Sequence, residues 1–131
     1  KINKKIKINF DDTVLKVVNN KKNNVLFYGA GIFSENLLSS NFIKNKKVTF
    51  TSSLKEEIGI KLQTKFKILN FNKLKFRKYN TVIITPYDVA DNIFKKHFNK
   101  WLKNNWKGKI YKVKERKTSY FWNYSLNEIK T

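Results

Sequence analysis

A short apolar run that ends in Gly-x-Gly and passes straight into a helical pattern constrains this chain more than any other stretch. It reads Val25-Leu26-Phe27-Tyr28-Gly29-Ala30-Gly31-Ile32-Phe33-Ser34-Glu35-Asn36-Leu37-Leu38. Four continuous apolar residues before a glycine turn fit a strand buried on both faces. Gly29 permits a sharp turn, and Gly31 leaves room for a phosphate to approach the backbone. The helix behind them presents unpaired N–H groups and the positive end of its dipole. Ser34 stands where a third Gly or Ala would complete the dinucleotide fingerprint.

The rest of the chain continues this alternation. Thr81-Val82-Ile83-Ile84 is a second continuous, β-branched run bounded by polar residues. Lys47 to Thr51 and Lys109 to Val113 read as further strands. Phe66 to Leu69 reads as a short strand before a helical turn at Asn70 to Lys75. Ile32, Phe33, Leu37, Leu38 and Phe42 keep helical spacing. So do Val89, Ile93, Phe94, Phe98, Trp101 and Leu102, with Lys96, Lys100 and Lys103 on the other side. Thr85-Pro86-Tyr87-Asp88 opens that second helix as a capping arrangement, with Thr85 at the N-cap, Pro86 first in the helix and Asp88 three residues past the cap. Upstream, Ile2, Ile6, Ile8 and Phe10 suggest an extended arm. Asp11-Asp12-Thr13 starts a short helix carrying Val14, Leu15, Val17 and Val18. Asn19 to Asn24 is a polar break, Ser52 to Leu62 a polar loop around Gly59, and Ser119 to Lys130 is expected as a last helix docked through its aromatics.

Strands and helices that alternate, with two crossovers long enough for right-handed βαβ units, define an α/β fold. The expected architecture is a small Rossmann-like three-layer sandwich around a mostly parallel sheet of about five strands in the order 3-2-1-4-5. Residues 1–22 form the arm and short helix, 23–118 the Rossmann-like domain, and 119–131 the tail.

Composition narrows the chemistry. The 131 residues suffice for one core. Absence of cysteine excludes disulfides and zinc–thiolate sites, and a single histidine, His97, excludes a His-rich metal site. No apolar run approaches the roughly 20 residues of a membrane span. Lys1 to Lys7 lead into no signal-peptide core, so the expected location is the cytoplasm. Methionine is absent even from the start, and a processed product or excised piece is expected.

The net charge is +20. A count of 27 Lys against 2 Arg, with abundant Asn, Ile and Phe, is what an AT-rich genome encodes. Codon bias leaves the scarcity of acids, nine in all, unexplained, and attraction to a polyanion remains as a second reading. Lys95 to Lys117 holds ten basic residues against the single acid Glu115, interleaved with Trp101, Trp106 and Tyr111. Charge with aromatic faces can bind single-stranded nucleic acid. The plainer alternative is an amphipathic helix with Trp101 in the core.

In the expected sheet a ligand lies beyond the carboxyl ends of the first and fourth strands, where strand order reverses. Gly29, Ala30, Gly31, Ile32, Phe33 and Ser34 line one side of that crevice. Thr85, Pro86, Tyr87 and Asp88 line the other, and Thr51 and Ser52 end the second strand. A dinucleotide fold usually carries an acid at that strand end to hold ribose hydroxyls. Thr51-Ser52-Ser53 therefore disfavours NAD and leaves a nucleotide or nucleotide sugar, while Glu56 and Glu57 read as loop surface. Asp88, beside Tyr87, is the best-placed carboxylate for acid–base work, although capping alone accounts for it. His97 lies far along its helix from this crevice. No nucleophile, base and orienting acid assemble, so no catalytic residue is assigned.

Asn24-Val25-Leu26-Phe27-Tyr28-Gly29-Ala30-Gly31 and Lys78-Tyr79-Asn80-Thr81-Val82-Ile83-Ile84 resemble the strand-and-turn motifs of a family of small Rossmann-like domains in surface-polysaccharide and sugar-modifying enzymes. Such domains accompany sugar methyltransferases and acetyltransferases and occur in nucleotide-sugar dehydratases and epimerases. The likeness spans about residues 23–113, with Asn80 where Asp is common, Thr51-Ser52 where Asp is frequent and Ser34 where a small residue is usual. It implies an accessory module that binds a nucleotide or nucleotide sugar and works with a catalytic domain or partner. The other expectations are a polyanion-binding module using Lys95 to Lys117, and a structural domain whose tail aromatics Phe121, Trp122 and Tyr124 meet a partner.

Overall fold

The two continuous apolar runs form the centre of a sheet in the computed structural model, which describes residues 7–40 and 42–130. In chain order the first elements are β1 (Lys7–Phe10), α1 (Asp12–Asn19), β2 (Val25–Tyr28), α2 (Ile32–Ser39) and β3 (Val48–Ser52). Short strands β4 (Lys61–Leu62), β5 (Phe66–Lys67) and β6 (Leu69–Asn70) lead to β7 (Thr81–Ile84). A helical stretch then carries α3 (Ala90–Ile93), a π-helical turn over Phe94–Phe98 and α4 (Asn99–Lys103), before β8 (Lys109–Lys117) and β9 (Phe121–Glu128). Ile2 and Ile6 of the expected arm lie outside the described residues.

The fold is mixed α/β, with one mostly parallel sheet of seven strands in the order β1-β9-β8-β7-β2-β3-β6 and a separate β4-β5 hairpin. Its five members from β6 to β8 reproduce the expected 3-2-1-4-5 order. The sheet is larger than the five strands expected, because β1 and β9 join it. The tail, expected as a helix, is β9, which runs antiparallel to β8 and parallel to β1. The expected third strand is divided: Phe66–Lys67 turns back on β4, and only Leu69–Asn70 pairs with β3.

Alternate residues of a strand face opposite sides, and the apolar side chains accordingly gather into two clusters. Val25 and Phe27 of β2 join Val14, Val18, Phe33 and Leu37 from α1 and α2 on one face. Leu26 and Tyr28 join Ala90, Phe98 and Trp101 on the other. Phe27 stacks on Phe50 of β3 at 4.7 Å, while Phe71, Phe98, Trp101 and Trp106 form a chain of ring contacts under the second face.

Local chemistry supports the helix ends unevenly. Asp11 caps α1, accepting from the amides of Thr13 at 2.9 Å and Val14 at 3.4 Å, as expected of this residue type. The capping arrangement expected after β7 does not form. Thr85 amide and hydroxyl both turn to the Tyr28 carbonyl, at 3.0 and 3.1 Å, and the helical stretch opens with a 3₁₀ turn at Tyr87–Val89. The hydroxyl serves strand-end cohesion instead of the helix. No helix among the described residues is long and apolar enough to cross a membrane.

Candidate functional site

The strand order reverses between β2 and β7: the chain leaves β2 toward β3 on one side and reaches β7 on the other. Crossing segments diverge there and leave the crevice in which open α/β sheets bind ligands. The Gly29–Gly31 turn and the Thr85–Asp88 segment meet at this point. Gly29 has φ +110°, and an added Cβ would overlap the Thr85 hydroxyl and come within 2.8 Å of Pro86 Cδ. The tight turn and the close approach of the two strand ends therefore both require this glycine.

Gly31 is different. It is exposed, has φ −87°, and a Cβ there would meet nothing within 4 Å. As the N-cap of α2 it provides no side chain to its amides, and the first intrahelical bond runs from the Glu35 amide to the Gly31 carbonyl at 3.2 Å. The preceding amides of Ile32, Phe33 and Ser34 are the donors a helix leaves unsatisfied. Ile32 projects into solvent, whereas Phe33 is buried under the turn with Phe10 and Tyr124 around it.

The expected hydroxyls are already engaged. Ser34 is fully buried and donates to the Gly29 carbonyl at 3.2 Å, closing the turn from below. Thr51 donates to the Leu69 carbonyl at 2.8 Å and holds β6 to the sheet. Tyr87 and Asp88 are exposed, as are Ile32 and Val89.

Glu57, expected as loop surface, packs against the end of β3 instead. The loop after β3 folds back, Glu57 is half-buried, and its carboxylate accepts from Ser52 at 2.6 Å. A carboxylate thus stands at the end of β3 although none occupies the strand's last residues. Ser53 beside it accepts from the Tyr28 hydroxyl at 2.8 Å. Burial, reinforced by Glu57, raises the Tyr28 pKa, while the Ser53 hydrogen bond opposes this. No sequence spacing signals a Ser52–Glu57 bond, since it depends on the path of an irregular loop.

His97 is half-buried, a partly packed residue of its helix. Its ring stands 5.4 Å from Tyr28 and 4.9 Å from Phe71, because the helical stretch runs back across the sheet beneath β2. Burial lowers its pKa, and Lys96 and Lys100 lower it further. The Lys95–Lys117 stretch does not form one aromatic and basic surface: Trp101 and Trp106 are buried, and Trp106 Nε1 donates to the Tyr79 carbonyl at 2.6 Å.

The β8–β9 hairpin stands beside the crevice. β8 pairs with β7 only from Lys109 to Lys112, so Val113–Lys117 runs past the end of β7. Its Glu115 pairs with Lys117 at 2.8 Å, and Lys117 Nζ lies 4.2 Å from the Trp122 ring centre. Tyr124, opposite Glu115, accepts from Asn36 of α2 at 3.4 Å. Compared with known proteins, the chain matches no family model, no curated protein and no solved structure.

Proposed function

We propose that this chain is a Rossmann-like module, a three-layer sandwich that binds a nucleotide or nucleotide sugar within a sugar- or polysaccharide-modifying system, with catalysis supplied by another domain or partner. The observation that carries this reading is the uncapped, exposed start of α2 at the point where strand order reverses. A phosphate there would take the amides of Ile32 and Phe33 and the positive end of the α2 dipole. Sugar hydroxyls would extend toward Ser53 and Glu57, a carboxylate suited to accept from a diol. Ser34 would act through the shape of the turn, its hydroxyl being bound to Gly29.

Thermal-shift measurements with NAD(P), UDP- and GDP-sugars and S-adenosylmethionine test this reading. At least one nucleotide ligand is expected to raise the melting midpoint. Gly31→Asp sharpens the test, because the new side chain meets open space and Asp is a favourable N-cap. The variant is expected to melt no lower than the parent and to lose the ligand-induced shift, its carboxylate occupying and repelling the phosphate position. A full ligand response in Gly31→Asp, or no response to any of these ligands in the parent, overturns the proposal.

A further inference from the structure

The fold sorts its acids by edge. Asp11 and Asp12 begin α1 beside Tyr124, Glu35 lies in the first turn of α2, and Glu56 and Glu57 follow β3. Asp88 and Asp91 follow β7, and Glu115 sits where β8 has passed it. Eight of the nine acids are thereby held at the carboxyl-terminal edge of the parallel strands; the ninth, Glu128, lies opposite Tyr111. At the amino-terminal edge, the segments entering β2, β3, β7 and β8 carry Lys21, Lys22, Lys46, Lys47, Arg77, Lys78, Lys107 and Lys109, and no acid.

Hydrogen bonds join these segments into one surface. Lys47 Nζ donates to the Lys21 carbonyl at 3.2 Å, Asn80 to the Lys22 carbonyl at 3.0 Å, and Asn24 to the Lys78 carbonyl at 3.0 Å. A cavity of about 420 Å³ opens here, with Lys16, Lys107, Lys109, Asn20, Asn23 and Asn80 in its lining. A neighbouring cavity of about 290 Å³ shares Asn80, Lys107 and Gly108 and adds Arg77 and Asn105. The two make a groove whose polar lining is cations, amides and Thr81, with Val17, Tyr79, Tyr111 and Trp106 between them and no carboxylate in either lining.

Helix dipoles account for part of this pattern. They favour a cation in the last turn, as at Lys16, and their influence fades within that turn. Of the remaining groove cations, Arg77 stands in a 3₁₀ turn over Phe76–Lys78, Lys107 in a loop and Lys109 at a strand start. We propose that this edge is a nucleic-acid-binding face that grips the phosphate backbone without reading bases. Spaced phosphates match the spaced ammonium groups, and the amides can donate to phosphate oxygens. Lysine supplies the charge with little of the bidentate geometry that selects bases, and Trp106, although it lines the smaller cavity, is buried and offers little face for stacking. Exposed Ile32, Leu54, Tyr87 and Val89 stand at the opposite edge, away from these cations, whereas an amphipathic surface that enters a bilayer carries both on one face. The face is also separate from the crevice of the proposed nucleotide site.

Two triple variants test it, each exchanging the same charge: Lys16→Glu, Lys107→Glu and Lys109→Glu on the groove, and Lys55→Glu, Lys95→Glu and Lys96→Glu away from it. Binding to a fluorescent mixed-sequence DNA duplex of about 20 base pairs is followed from about 50 to about 200 mM salt. The groove triple is expected to weaken binding about tenfold more than the other and to flatten the log–log salt slope by about one unit for each phosphate no longer neutralised. Circular dichroism melts establish that each variant folds; if a triple does not, Lys107→Glu and Lys95→Glu are compared singly. Equal weakening by the two sets overturns the assignment. So does tighter binding of phosphatidylserine vesicles or heparin than of DNA by the parent protein.

Discussion

Gly29 and Gly31 stand two residues apart in one motif, yet the fold uses them for different things. Gly29 is required by its positive φ and by the closeness of Thr85 and Pro86. Gly31 is unconstrained by its neighbours and stands as the N-cap of α2. Gly29→Ala is therefore expected to lose at least about 1–3 kcal/mol from backbone strain alone, while Gly31→Ala loses under about 1 kcal/mol as an N-cap change. Urea unfolding of the two variants checks the contrast; equal losses would contradict it. At this scale the strand, turn and helix were legible from residue type. The partners of Ser34, Thr85 and Glu57 were not, because each reaches a group brought near by folding: the Gly29 carbonyl, the Tyr28 carbonyl and the Ser52 hydroxyl.

Among the elements, β9 departs furthest from expectation. Trp122-Asn123-Tyr124-Ser125-Leu126-Asn127 alternates apolar and polar residues, the period of a half-buried strand. Tyr124 and Leu126 are buried, and the Tyr124 ring stacks on Phe10 at 5.4 Å. The alternation was present in the sequence, but density of aromatic residues hid it behind the look of a docked helix. β9 bridges β1 and β8, so its loss would leave β1 without its strand partner and open the first apolar cluster. Truncation before Ser119 is expected to abolish the cooperative urea transition or shift it to much lower denaturant. An unchanged midpoint and amide spectrum would show that the tail is an appendage. By contrast β2 and β7 were legible outright, since a continuous β-branched or aromatic run bounded by polar residues has few other ways to be buried.

Across the whole molecule, a net charge of +20 is opposed among the described residues by two ion pairs, Lys112–Asp91 at 3.4 Å and Lys117–Glu115 at 2.8 Å. Self-repulsion of that size works against the compact state. Raising ionic strength from about 0.01 to about 0.1 M shortens the screening length from about 30 to about 10 Å. The melting midpoint is expected to rise across that interval in sodium chloride, and a flat or falling midpoint would show that the charges are already balanced by their placement. Sequence by itself determined the alternating α/β pattern and the glycine turn at its middle, because hydrophobic period and glycine placement are local properties. It also determined how much charge the chain carries. Tertiary structure alone decided where the acids go, eight of nine to one sheet edge, which leaves the other edge with lysines and hardly any acid. It alone returned Glu57 to the end of β3 and made the tail a strand. Those outcomes depend on which distant segments become neighbours, and crossover direction and loop path, not residue type, decide that.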